Sequence, residues 1–155
     1  MRKKPLTQDA KILLQLNRLR KETEMRRARA WWHDDFWPEN VGDYLKIELA
    51  HGTNESFWLK QVATYWGMAA SFVLHGTLSE KVFLDATFSG DMFVIFAKVG
   101  PFLKELRDKT RNPDLMRNIE IVIMGSKTGR QRLRQISKRV EARRRMLTRS
   151  TAKKE

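Results

Sequence analysis

The chain has 155 residues, 31 Lys and Arg against 18 Asp and Glu, a net charge of +13 and an apolar share of 41%. That is the length of one domain, or of one domain with tails, and the apolar share is enough for a core. Cysteine is absent and histidine occurs three times, which excludes disulfides, thiol nucleophiles and thiolate metal sites and leaves little for a histidine-rich centre.

No cofactor and no metal are expected. The start is basic, but Asp9, Lys11 and Gln15 interrupt the apolar residues behind it, whereas a secretory leader needs an unbroken apolar stretch of roughly 7–15 residues. The most apolar window, residues 92–103, contains Lys98, Gly100 and Pro101, and it is too short for the ~30 Å of a bilayer interior. The expectation is a cytoplasmic protein, with a membrane partner disfavoured.

In chain order, Thr7 is a candidate N-cap with Asp9 near the positive helix end, and helix formers without Gly or Pro continue to about His33. Ile12, Leu16 and Leu19 give this helix a thin apolar face that fades at Thr23, Arg26 and Arg27. Pro38 is expected to end it and to open a second helix carrying Val41, Tyr44, Leu45 and Leu49, with Gly52 as a left-handed stop. Asn54 is read as the cap of a third helix. Its residues Trp58, Val62, Tyr65, Trp66, Ala69, Phe72 and Val73 form a broad core-facing stripe, and Gly67 would admit a close neighbour. His75 and Gly76 close it.

Thr77 and Glu80 have capping-box spacing, which opens a short helix to about Thr87, before Ser89 and Gly90 break the chain. Met92, Ile95, Phe96, Val99, Phe102, Leu103 and Leu106 mark another core-facing helix, with a kink or a junction of two helices at Pro101. Asn112, Pro113 and Asp114 read as a helix start, and residues 119–123 are β-branched enough to leave helix and strand both open. Gly125 and Gly129 flank a polar hinge. From residue 130 to about 149 a basic helix carries a narrow seam of Leu133, Ile136, Val140 and Leu147.

The predicted fold is all-α, an irregular helical bundle of about five to seven helices with basic terminal helices. Its divisions are a basic N-terminal helix over 1–30, a helical core over 31–124, a basic C-terminal helix over 125–149 and a disordered tail over 150–155. Charge follows that division: residues 1–30 carry a net +7, residues 31–110 a net −4, and residues 125–155 a net +10.

Motifs for catalysis are weak. Glu48 and His51 stand one turn apart, but a di-iron bundle needs a second such pair, so a surface helix end is the simpler reading. His33 beside Asp34 and Asp35 suggests a base with orienting acids, yet adjacent helical residues do not face each other. His75 reads as a C-terminal cap. Residues 125–129 lack the spacing of a phosphate loop, and no nucleophile-elbow or zinc-protease pattern occurs. The expectation is a non-catalytic module.

Three segments carry a resemblance: Trp31 and Trp32 with Asp35, Phe36, Trp37 and Pro38; the run from Tyr65 through Trp66, Gly67 and Ala69 to Val73; and Gly100, Pro101, Phe102 and Leu103 through Arg107. Over roughly residues 28–120 the chain resembles an uncharacterised bacterial helical family, a domain of unknown function. The resemblance implies a helical fold and a bacterial origin, and it brings no catalytic assignment. The basic C-terminal extension lies outside it.

The feature with functional content is the cluster Arg132, Arg134, Lys138, Arg139, Arg143, Arg144, Arg145 and Arg149. Arginine outnumbers lysine in this segment, which suits bidentate phosphate contact. Nucleic acid bound by the basic terminal helices without sequence specificity is the first expectation. A protein partner or a homo-oligomer formed through the seam is the alternative. Trp31, Trp32 and Trp37 cannot all face one way, and they are candidate partner or ligand contacts.

Overall fold

The computed structural model describes residues 7–154, with residue 86 by its backbone alone. It is all-α, with no strand among the described residues. The polypeptide runs through α1 (Thr7–Lys21), α2 (Thr23–Ala30), a π turn (Trp31–Asp35), α3 (Val41–Glu48) and α4 (Asn54–Leu74). It continues through α5 (Glu80–Phe83), α6 (Ala86–Val99), a 3-10 turn (Gly100–Phe102), α7 (Leu103–Thr110), α8 (Arg117–Met124) and α9 (Lys127–Ala152).

The expected long first helix is two helices. Glu22 takes ψ 145° and turns the chain between them, which brings Leu16 of α1 and Met25 and Ala28 of α2 into one core. Thr7 is itself helical and does not cap α1. Asp9 is buried and accepts a 2.9 Å bond from the Ser79 amide, tying α1 to the start of α5.

Local side chains set most other boundaries. Asn40, not Pro38, caps α3, accepting from the Asp43 amide at 3.0 Å. Thr53, one residue before Asn54, caps α4 through the Ser56 amide. Thr77 caps nothing: α5 starts after Ser79 and ends at Phe83. Asp85 then opens α6, accepting from the backbone amide and hydroxyl of Thr87 at 2.9 and 2.7 Å. Ser89 and Gly90, expected as a break, lie inside α6.

The junction at Pro101 is a 3-10 turn between α6 and α7. Residues 112–116 form a turn rather than a helix start, and residues 119–123 are helical. Gly129, expected to border a hinge, sits in the first turn of α9, where an added Cβ would lie 2.1 Å from the Ile123 carbonyl oxygen. The joint between α8 and α9 is therefore the tight corner at Gly125 and Ser126, with Ser126 capping α9. The tail expected to be disordered is helical through Ala152.

Helix α4 lies at the centre, packed by α2, α3 and α8, and α6 is covered by α8 and α9. Val62, Tyr65, Trp66 and Ala69 of the predicted stripe are buried, as are Leu59 and Ala70 beside it, while Trp58, Phe72 and Val73 are half-buried at its edge. Gly67 has open space where a Cβ would go, so it is not a point of close helix approach. One core runs from Leu16 to Ile123, wider than residues 31–124, and Leu133 and Ile136 of α9 pack against it.

Candidate functional site

The aromatic run after α2 is where the chain departs from a regular helix. Within the π turn the Phe36 amide reaches the Trp31 carbonyl at 3.0 Å. The wider turn buries both Trp31 and Trp32, and Phe36 stacks on Trp31 at 4.6 Å and meets Trp32 edge-on at 5.0 Å. Trp31 and Trp32 are therefore core residues and not partner contacts. Trp37, half-buried, is the one of the three that reaches the surface.

Lys98 of α6 holds this turn from below. Its ammonium, 1% exposed, donates to the carbonyls of Trp32, Phe36 (2.9 Å) and His33 (3.4 Å), and it lies 3.6 Å from the Trp37 ring centre. These carbonyls end the turn without a helical partner, so the lysine supplies the donors the backbone lacks. Burial pushes its ammonium down to about 7, with Arg143 and Arg144 adding to the effect and Asp34 opposing it. The sequence signal was present: Lys98 is the one cation in residues 92–103.

Asp91, also on α6, gathers a second cluster. It binds Arg29 at 2.7 Å, His33 at 2.9 Å and Arg20 at 3.3 Å. Burial pushes its carboxyl up, but the His33 hydrogen bond and the Arg29 charge outweigh that and hold it well below the usual carboxylate range. Two of the N-terminal arginines are thus committed inside the protein.

Helix α9 turns its basic residues in three directions. Arg144 points inward, donating to the Pro38 carbonyl at 3.0 Å and pairing with Glu141 at 3.5 Å. Arg132, Arg139 and Arg143, at i, i+7 and i+11, share one flank and line a cavity of about 350 Å³ between α9, α6 and the π turn. Val94, Ile136 and Val140 give it an apolar wall. Arg143 is held by Asp34 at 3.0 Å. Arg132 lies 4.8 Å over Phe93, and burial lowers its guanidinium, with Asp85 opposing.

The third direction is outward. Arg134, Lys138, Arg145 and Arg149 are exposed and have no ion pair or hydrogen-bond partner among the described residues. Lys127 and Arg130 extend the same face toward the start of α9, and Arg130 donates to the Met124 carbonyl at 2.7 Å. The seam is divided: Val140 is buried, Leu133 and Ile136 pack on the core, and Leu147 stays 39% exposed.

The remaining sequence candidates stay apart. Helix α3 ends at Glu48, so His51 lies in the following turn and not one helical turn along the same face. The His75 ring meets the Ser71 carbonyl at 2.7 Å, as a helix end does. No group of three or more possible metal ligands occurs among the described residues. No helix among them is long and apolar enough to cross a membrane.

No curated protein and no solved structure matches the chain. Residues 5–126, from the start of α1 to the corner before α9, match a family described as a domain of unknown function, DUF4760. The family therefore spans the buried aromatic turn, the Lys98 and Asp91 clusters and the core, and the whole of α9 follows it. On this match the chain belongs to the DUF4760 family.

Proposed function

We propose that the protein is a non-catalytic helical binding module whose outer α9 face binds nucleic acid through its phosphates, without reading base sequence. The observation that carries this reading is the set Arg134, Lys138, Arg145 and Arg149, exposed and without an acceptor among the described residues. From Lys127 to Arg149 the face runs about 33 Å at 1.5 Å per residue. Cations along it gain from counterion release when they meet a chain of phosphates. The face holds no Trp, Phe or Tyr, so it has no platform for base stacking and nothing aromatic to select a base. Arg20 and Arg29 of the N-terminal segment already serve Asp91, whereas the outer cations of α9 follow one continuous helix face.

Fluorescence anisotropy with a short DNA duplex between 50 and 200 mM salt tests the reading. Four to five phosphate contacts give a slope of log K against log salt of about −4. The triple substitution R134Q/K138Q/R145Q makes that slope shallower by about 3, since each cation contributes about one. No binding of the natural chain at the lowest salt, or equal binding by the triple variant, overturns the proposal. Binding to anionic vesicles with none to DNA moves the partner to a lipid surface and overturns it equally.

A further inference from the structure

The cavity on the inner flank of α9 is a separate feature, because Arg132, Arg139 and Arg143 point about half a turn away from Arg134, Lys138 and Arg145 on the same helix. Its volume of about 350 Å³ is within the range of small-molecule sites. Three guanidinium groups border it, and among the described residues only Arg143 of the three has a carboxylate within ion-pair distance. Nη1 of Arg132 is buried with no hydrogen-bond partner, and a desolvated cationic donor without an acceptor is costly. Arg139 is exposed and has no partner among the described residues.

Gly90 adds an independent observation. It lies inside α6, where glycine is less favourable than alanine. A Cβ built on it meets nothing within 4 Å, and its φ is not in the left-handed region. Neither a close packing neighbour nor the backbone conformation calls for glycine. It borders the cavity, so the missing side chain leaves room there.

We propose that this cavity binds an organic phosphomonoester. The dianionic phosphate is held by Arg132, Arg139 and Arg143, and a single ring or short chain lies against Val94, Ile136 and Val140. Two charges suit a cavity bordered by several guanidinium groups better than the single charge of a carboxylate, and guanidinium forks match phosphate oxygens in pairs. The apolar wall gives the organic part a reason to enter that inorganic phosphate lacks.

Titration calorimetry on the full chain with phenyl phosphate, benzoate and inorganic phosphate tests this. Phenyl phosphate is expected to bind at one site, about tenfold or more tighter than either comparison anion, a difference of one charge-assisted contact or one buried ring. Arg132→Gln and Arg139→Gln each weaken it by about tenfold. Gly90→Leu abolishes it, and Gly90→Ala keeps the helical circular dichroism of the parent. Arg139 makes no hydrogen bond or ion pair among the described residues, so its variant reports on the ligand even if Gly90→Leu folds poorly. Phenyl phosphate binding no tighter than inorganic phosphate or benzoate overturns the proposal, as does binding that survives both arginine substitutions, or no heat at millimolar concentration. Phenyl phosphate binding stays unchanged in R134Q/K138Q/R145Q, none of whose positions lines the cavity, which keeps this result apart from that of the outer face.

Discussion

Asp91 brings together cations from α1, α2 and the π turn: Arg20, Arg29 and His33. A carboxylate that is 16% exposed is stable there because the His33 hydrogen bond and the Arg29 and Arg20 guanidinium groups favour its charged form. Replacing it by Asn keeps the shape and removes the charge, leaving two arginines partly buried without a counter-ion. The expected cost is about 3 kcal/mol, at the lower end for breaking a buried pair, and urea denaturation at pH 7 measures it. The pH dependence follows from the direction of the shift. The folded carboxyl titrates below the unfolded one, so the unfolded chain takes up the proton first as pH falls. The stability from Asp91 is complete above the unfolded value of about 4 and is lost as pH drops below it. Asp91→Asn should lack this acid limb; a variant with the parent's acid profile would show that Asp91 carries none of it. Lys98 makes the complementary case, a buried cation facing carbonyls instead of a carboxylate. Lys98 was visible as the one cation of an apolar window and Asp91 was not, but the role of both is set by partners about 60 to 70 positions away.

Helix existence was legible from the spacing of apolar residues, and helix boundaries were less so. The stripe on α4 is where periodicity placed it because its burial depends on one helix alone. The break at Glu22 follows from the need to bury Leu16 and Met25 together, a tertiary demand that α1 and α2 do not encode as Gly or Pro. Thr77 has capping-box spacing with Glu80, yet Ser79 receives a carboxylate from α1 and the helix starts there. Glycine misled in both directions. Gly90 was read as a breaker and is helical, whereas Gly129 was read as hinge and is a close approach of α9 to the end of α8. That approach is testable. At Gly129 an added methyl would sit 2.1 Å from the Ile123 oxygen, which is backbone and cannot rotate away. Gly129→Ala should cost about 1–3 kcal/mol, as overpacking does, seen as a lower urea midpoint. An unchanged midpoint would mean that the corner between α8 and α9 yields freely.

At the scale of the molecule, the composition boundary near residue 124 and the structural boundary do not coincide. Charge rises abruptly there, and the family match ends at residue 126, so the basic segment reads as an appendage. In the structure α9 covers α6, with Val140 buried and Leu133 and Ile136 packed on the core. The reason it escaped a sequence reading is arithmetic: a few apolar residues in a highly charged helix make a narrow seam, and such a seam fits a partner chain as well as the chain's own core. A chain ending at Gly125 decides how much the helix contributes. Three apolar side chains that lose their cover, at about 1.5–3 kcal/mol each when fully buried and less for the two that are only partly so, put the loss at about 3–6 kcal/mol. The urea midpoint of the shortened chain should fall accordingly, and the uncovered flank of α6 should bind a hydrophobic dye. If the shortened chain instead keeps the full-length midpoint and binds no dye, α9 is an appendage after all. Any loss of nucleic-acid binding on its removal would then report the helix's own charge. With the loss of stability expected here, the same experiment would conflate folding with binding, which is why the outer face has to be tested by exposed substitutions such as Arg134→Gln and not by deletion.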